Sequence, residues 1–176
     1  MKYKYTPSDV ATIAMCVALS MVLGKALSIF HRILPFSRGI INAPFFSFMV
    51  TLMLYRVRKP GAITLYALGY GLTMARLSIF ATMSIAIGGI FADIIISLLL
   101  KDYTSELKIS IFTPIYSTCG IIVTFIITTT FITSSLYSFG GVMAMVISAI
   151  AVYAAGFVGS FSAMKLFTGR LKKDVN

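Results

Sequence analysis

The chain has 176 residues, 59% of them hydrophobic and only 11% charged, with 15 lysines and arginines against 5 acids and a net charge of +10. That composition lies far outside the range of soluble domains and reads as an all-α integral membrane protein, with a single membrane domain over residues 1–176. In a soluble protein the charge would suggest nucleic acid, but the basic residues follow the turns and the termini, which makes the basicity topological.

Crossing the hydrocarbon core takes roughly 20 apolar residues. Six runs approach that length: Val10–Phe30, Ile40–Tyr55, Gly61–Ala75, Leu77–Leu100, Ile109–Thr133 and Phe139–Met164. A bundle of six transmembrane helices is therefore expected. Thr6-Pro7-Ser8-Asp9 precedes the first, with Ser8 or Asp9 placed to cap it and Pro7 marking its start. The first run continues past Leu23 to Phe30 with no small-residue cleavage site, so it is expected to be a span and not a signal peptide.

Between the first two spans lies SIFHRILPFSRGIINAPFF, Ser28 to Phe46, which holds the single histidine of the chain. Pro35, Ser37, Gly39 and Asn42 are loop formers, so a loop is expected here. Ile33, Leu34, Phe36, Ile40 and Ile41 are too apolar for a loop that floats in water, and the segment reads as a lid folded onto the helix ends. In that reading Ile33, Leu34 and Phe36 seal, while His31, Arg32 and Arg38 recognise carboxylate or phosphate groups, arginine doing so by paired hydrogen bonds. His31 is also a candidate ligand for a metal or a tetrapyrrole.

The second and third runs hold 16 and 15 residues, so each needs snorkelling flanks or local thinning of the bilayer to span. One re-entrant hairpin over Ile40–Ala75 is the alternative. The turn Arg56-Val57-Arg58-Lys59-Pro60 is costly at membrane depth and favours two spans. With the N-terminus inside, Lys2, Lys4, Arg56, Arg58, Lys59, Lys101, Lys108, Lys165, Arg170, Lys172 and Lys173 fall on the cytoplasmic side. Only Lys25, Arg32, Arg38 and Arg76 remain of the 15. This bias obeys the positive-inside rule and puts both termini in the cytoplasm.

Ionisable groups within or beside apolar spans are candidates for function because their burial is costly. Lys25 sits near the outer end of the first span, either snorkelling or binding an anion, and Arg76 follows the third with the same two readings. Asp93, in Gly88-Gly89-Ile90-Phe91-Ala92-Asp93, lies deep on the cytoplasmic side of the fourth. The twin glycines admit a close backbone, which favours a structural aspartate bonded to neighbouring helices over a substrate contact.

Small residues repeat at four-residue spacing in the sixth run, at Ala151, Ala155, Gly159 and Ala163, with Ser148, Gly156 and Ser160 nearby. The first run carries Ala11, Ala14 and Ala18. Such stripes let helices approach closely, either inside the bundle or against a partner.

The sequence lacks a G-x-x-x-x-G-K-[ST] phosphate loop, a serine elbow, an H-E-x-x-H pair and any carboxylate cluster. With 5 acids and 1 histidine, most acid–base chemistry is out of reach; no enzyme and no intrinsic cofactor are expected. Cys16 and Cys119 fall in spans at a spacing that suits neither zinc nor a redox pair.

Six short spans, an alanine-x-x-x-alanine in the first, a capping loop after it, and the segments RVRKPGAITLYALGYGL, IAIGGIFADIIISLLLKDYTS and GFVGSFSAMKLFTGRLKKD together resemble the substrate-binding S components of energy-coupling-factor (ECF) transporters, within them the MptD-type or Trep_Strep-like group. The resemblance covers nearly the whole chain. It implies a micronutrient importer of the prokaryotic cytoplasmic membrane. A transmembrane T component would dock on Ala14 and Ala18, and two cytoplasmic ATPases would use the ATP. It further implies a substrate pocket formed by His31, Arg32, Phe36, Arg38, Asn42, Arg76, Ser84, Thr129, Thr133 and Tyr137, with Met143 at its edge. The chain has no tryptophan, so Phe36, Phe45 or Tyr137 would have to stack on a ligand. A vitamin or cofactor precursor, a haem-like tetrapyrrole and a metal complex all remain open as substrates. The rival readings are a small helical assembly or regulatory subunit without a ligand, and a self-sufficient channel or exchanger, for which more buried acids would be expected.

Overall fold

The computed structural model describes residues 4–31, 38–76, 78–100, 103, 105–131 and 141–171, apart from the side chains of residues 28–31, 38, 170 and 171. Among the described residues there are helices and no strand. α1 is Pro7–His31, α2 Arg38–Val57, α3 Ala62–Met74, α4 Ile79–Leu100, α5 Glu106–Phe112, α6 Ile115–Phe131 and α7 Gly141–Leu166, which runs into a π-helical turn at Phe167–Leu171. Five stretches are long and apolar enough to cross a membrane, with α5 and α6 forming one of them, Glu106–Phe131, across a break at Thr113-Pro114. α3 has 13 residues, about 20 Å of helix. The architecture is an all-helical bundle consistent with a multi-pass membrane protein.

α1 starts at Pro7, as the sequence suggested, but Ser8 and Asp9 do not cap it. The cap is Thr6: its Oγ1 accepts from the Asp9 N–H at 3.3 Å, and Asp9 Oδ2 accepts from the Thr6 N–H at 2.8 Å. This reciprocal pair satisfies donors at the helix start that otherwise lack a partner. Asp9 also pairs with Lys59 on the α2–α3 turn, whose ammonium donates to the Lys4 carbonyl as well. Tyr5 donates to the Pro60 carbonyl at 2.7 Å. Burial, with Asp93 and Asp9 nearby, pushes its phenol up from the usual tyrosine value, so it stays a donor. The start of the chain is thereby tied to the turn after α2.

The larger departure is α2. Gly39 and Asn42 were expected as loop formers, yet both lie, with Pro44, within a helix of 20 residues, about 30 Å long, which needs no thinning to span. In lipid every backbone polar group must be satisfied internally, so helix persists through residues that would end it in water. Pro44 gives up one backbone bond, and packing supplies the compensation: its carbonyl group lies directly against Gly159 of α7. α2 and α7 form the most extensive helix pair. The remainder of the expected lid, Arg32 to Ser37, lies outside the described residues.

Around α2 the interior divides into two halves. Val50, Met53 and Leu54 of α2, Ile63 and Tyr66 of α3, Ile96 of α4 and Ile109 of α5 are fully buried, and they fill the half next to the Arg56–Pro60 turn. Hydroxyl groups stitch this half together. Thr51 donates to Ser160 Oγ at 3.1 Å, Ser160 donates to the Ser110 carbonyl, and the Tyr55 hydroxyl reaches the Glu106 carbonyl at 3.0 Å. Such bonds between helices replace the hydrophobic drive that lipid cannot provide. In the other half α7 turns Val142, Met143, Ile147 and Ile150 outward, all at least 60% exposed.

The end defined by Arg56–Pro60 also gathers the start of α5 and the end of the chain, since Arg58 faces Glu106 at 3.9 Å and Thr168 lies 3.4 Å from the same carboxylate. Lys4, Arg56, Arg58, Lys59, Lys108 and Lys165 share this basic end. Both described termini are therefore on one side of the bundle.

Candidate functional site

In the half opposite the basic end the helices part around a cavity of about 220 Å³. α2 lines it with Gly39, Asn42, Ala43 and Phe46, a three-and-four spacing that places all of them on one helix face. Tyr70 comes from α3 and Ile85 from α4, and α6 supplies Tyr116, Ser117, Gly120, Ile121 and Thr124. Gly39 lies close to Ile121, whose side-chain end would have to move if a side chain replaced the glycine. Gly88 of α4 packs on the backbone of Gly120, which draws α4 and α6 together beside the cavity. Gly89 packs against Ala67 and brings α3 to α4. The twin glycines thus act as their sequence suggests.

One wall is aromatic. The Phe46 and Tyr70 ring centroids are 5.2 Å apart at 55°, Tyr70 stacks on Tyr66 at 6.3 Å, and Tyr66 meets Tyr116 edge-on at 5.7 Å. Tyr66 is anchored in turn by its hydroxyl, which donates to Ser20 of α1 at 2.7 Å, so four helices set these rings. Aromatic groups in such offset and edge arrangements hold one another rigidly.

The polar groups at the cavity differ in how they are satisfied. Ser117 Oγ pairs with Ser47 Oγ at 3.0 Å, and Thr124 donates back to the Gly120 carbonyl at 2.7 Å. Asn42 Oδ1 is buried and has no hydrogen-bond partner. A buried acceptor left unpaired costs about 1–3 kcal/mol. None of the cavity's described lining residues is charged.

Of the described residues expected to bind substrate, only Asn42 lines this cavity. Ser84 is buried one residue before Ile85 but donates to the Phe80 carbonyl at 2.9 Å. Arg76 is exposed in the turn after α3, and Thr129 is exposed and bonded to the Phe125 carbonyl. Met143 is 75% exposed at the start of α7. His31 and Arg38 are the end of α1 and the start of α2, with their side chains outside the described residues, where Arg32, Phe36, Thr133 and Tyr137 also lie. Phe45 turns outward at 42% exposure, and its neighbour Phe46 takes the stacking position. Tyr70, Tyr116, Ser117 and Thr124 were missed. The signal that could have found Tyr70 is its four-residue spacing from Tyr66.

Asp93 takes the structural role. It is 5% exposed and accepts from the Gly61 N–H at 3.3 Å, the Thr64 N–H at 3.2 Å and the Thr64 hydroxyl at 2.6 Å. Eight residues of α4, about 12 Å, separate it from Ile85 at the cavity. Among the described residues no group of histidine, cysteine or acid side chains could hold a metal ion. Gly156, Gly159, Ser160 and Ala163 are buried, so that part of the α7 stripe serves internal packing. Ala11, Ala14 and Ala18 of α1 are exposed along one face.

Comparison of the chain with protein-family models, with curated proteins and with solved structures returns no match.

Proposed function

We propose that the chain is the substrate-binding S component of an energy-coupling-factor importer in a prokaryotic cytoplasmic membrane. The cavity captures a micronutrient from outside, and a T component with two ATPases drives its delivery inward. The observation that carries this reading is the position of the cavity: it lies in the half away from the basic end, where a pocket facing the exterior belongs if the positive-inside rule holds. The exposed Ala14 and Ala18 supply a lipid-facing surface that a partner helix can approach closely. A subunit that serves assembly alone has no use for an aromatic cavity with an unpaired acceptor.

Ala14→Trp and Ala18→Trp are expected to leave ligand binding by the purified chain intact while reducing uptake by cells at least tenfold, roughly the effect of losing 1.4 kcal/mol of coupling. Loss of binding and uptake together would refute the docking role. The orientation is tested separately. In a background carrying Cys16→Ala and Cys119→Ala, Arg76→Cys should react with a membrane-impermeant maleimide on intact cells, and Arg56→Cys only after permeabilisation. The reverse pattern overturns the topology.

A further inference from the structure

We infer that the seam between α5 and α7 at the basic end is a binding site for an anionic phospholipid, whose phosphate group sits at Lys108 and Lys165. The site lies at the opposite end of the bundle from the cavity and does not depend on the importer reading. Pro114 sets the seam. It has no N–H, so the Ser110 carbonyl four residues earlier loses its helical partner, and Ser160 of α7 donates to it instead. Tyr153 donates to the Ile111 carbonyl at 2.9 Å, and Thr168 meets the Glu106 carboxylate at 3.4 Å. In chain order Lys108 falls between Glu106 and Ser110, and Lys165 between Ser160 and Thr168. The same two contacts bracket both lysines, so both stand at one level of the bundle.

Both sides of the seam present apolar surface outward. On α7, Tyr153, Phe157, Phe161 and Lys165 form a row at four-residue spacing; the Phe157 and Phe161 rings stack at 6.1 Å, and both are exposed. On α5, Leu107 and Ile111 are exposed on the flank that Tyr153 reaches. These rows give an acyl chain a lipid-facing track that ends at two exposed lysines. The geometry of Lys165 marks the headgroup end. Side chains on a helix lean toward its N-terminus, and α7 runs toward the basic end, so Lys165 leans back into the bilayer. Its ammonium lies 5.1 Å from the Phe161 ring centroid, whereas a snorkelling lysine extends toward water. A cation held over a ring on the lipid side stands where a headgroup phosphate pairs with it.

The charge balance selects an anionic lipid over a zwitterionic one. Glu106, an acid at this seam, already faces Arg58 at 3.9 Å. Eleven of the 15 lysines and arginines belong to this end by chain order, against 5 acids in the entire chain. A surplus of cations therefore remains even with every acid paired, and it attracts negative headgroups.

The chain contains no tryptophan, so a single introduced indole reports the lipid beside it. Phe161→Trp places that reporter in the row, and Phe91→Trp, on the exposed face of α4, serves as the reference. Each full-length variant is reconstituted in phosphatidylcholine vesicles with rising fractions of a brominated lipid, either phosphatidylglycerol or phosphatidylcholine, and quenching is read. Comparing the two brominated lipids at one position removes the effect of depth. At Phe161→Trp phosphatidylglycerol is expected to bind about tenfold more tightly than phosphatidylcholine, and at Phe91→Trp about equally. In the Phe161→Trp background Lys108→Gln and Lys165→Gln should each lower the preference about threefold, and the double variant should abolish it. Both lysines are exposed, so neither change touches the packed core. Glycerol 3-phosphate in large excess should leave the quenching unchanged, because it has no acyl chain to lie on the apolar rows. Relief of quenching by glycerol 3-phosphate would make this a site for free phosphate. No preference at Phe161→Trp, or the same preference at both reporters, would leave only diffuse attraction to the basic end. Either of these results, or a preference that survives the double variant, overturns the lipid site.

Discussion

Gly159→Ala is expected to be the most damaging single-methyl change in the protein, lowering stability by about 3 kcal/mol or more. A methyl group at Gly159 would fall within the Pro44 carbonyl group, 2.5 Å from its carbon, and that obstacle is backbone. A flexible side chain could turn aside; the helix of α2 can move only as a body, and it makes its largest contact at this interface. Separation there would also pull Ser160 from Thr51 and Ser110, so hydroxyl bonds are lost along with packing. Gly89→Ala gives a related collision with a different remedy, because the obstructing atom is the Ala67 methyl group. Combining it with Ala67→Gly removes the obstacle, and the pair should be more stable than Gly89→Ala alone by at least about 1 kcal/mol, as expected for residues in contact. Gly169→Ala, with no atom within 4 Å of the added methyl, serves as the control. Thermal unfolding of the purified variants in detergent measures all of these, and a Gly159→Ala protein that melts with the control would disprove the α2–α7 contact.

These glycines show which parts of the molecule could be read from sequence. Gly88-Gly89 announced a close approach because small residues in a membrane span have few other uses, and both positions meet a neighbouring helix. Asp93 announced a structural bond for a similar reason: a lone acid in an apolar run needs partners. The Arg56–Pro60 turn was legible because its charges cannot stay at membrane depth. By contrast, Gly39 and Asn42 favour helix ends and turns in water, and local propensity said loop. The cost of unpaired backbone in lipid and the contact with Gly159 outweigh that preference. The pocket was harder still. Which face of an all-apolar helix turns inward leaves almost no trace in the sequence, since lipid and core favour the same side chains. A shift of one residue, from Phe45 to Phe46, therefore exchanges an outward ring for one in the cavity. Asn42 was visible as a polar residue among apolar ones, whereas Tyr70 and Tyr116 were hidden among the 9 tyrosines of the chain.

Asp93→Ala is expected to destabilise the protein by roughly 3 kcal/mol, because three donors lose one acceptor group and each unpaired buried donor costs about 1–3 kcal/mol. The start of α3 depends on that group. Its N-cap is Gly61, which has no side chain to cap with and sits at φ 90°, so α4 supplies the cap from across the bundle through Asp93. An acceptor group is favourable at a helix N-terminus, where backbone donors lack partners, and here it also clamps α3 against α4. Thr64→Val removes the hydroxyl donor alone and should cost about 1 kcal/mol, and Asp93→Asn, which keeps one acceptor oxygen, should fall between the two. Denaturant unfolding of the purified variants measures all three. An Asp93→Ala protein as stable as the parent would remove Asp93 from the role of cap.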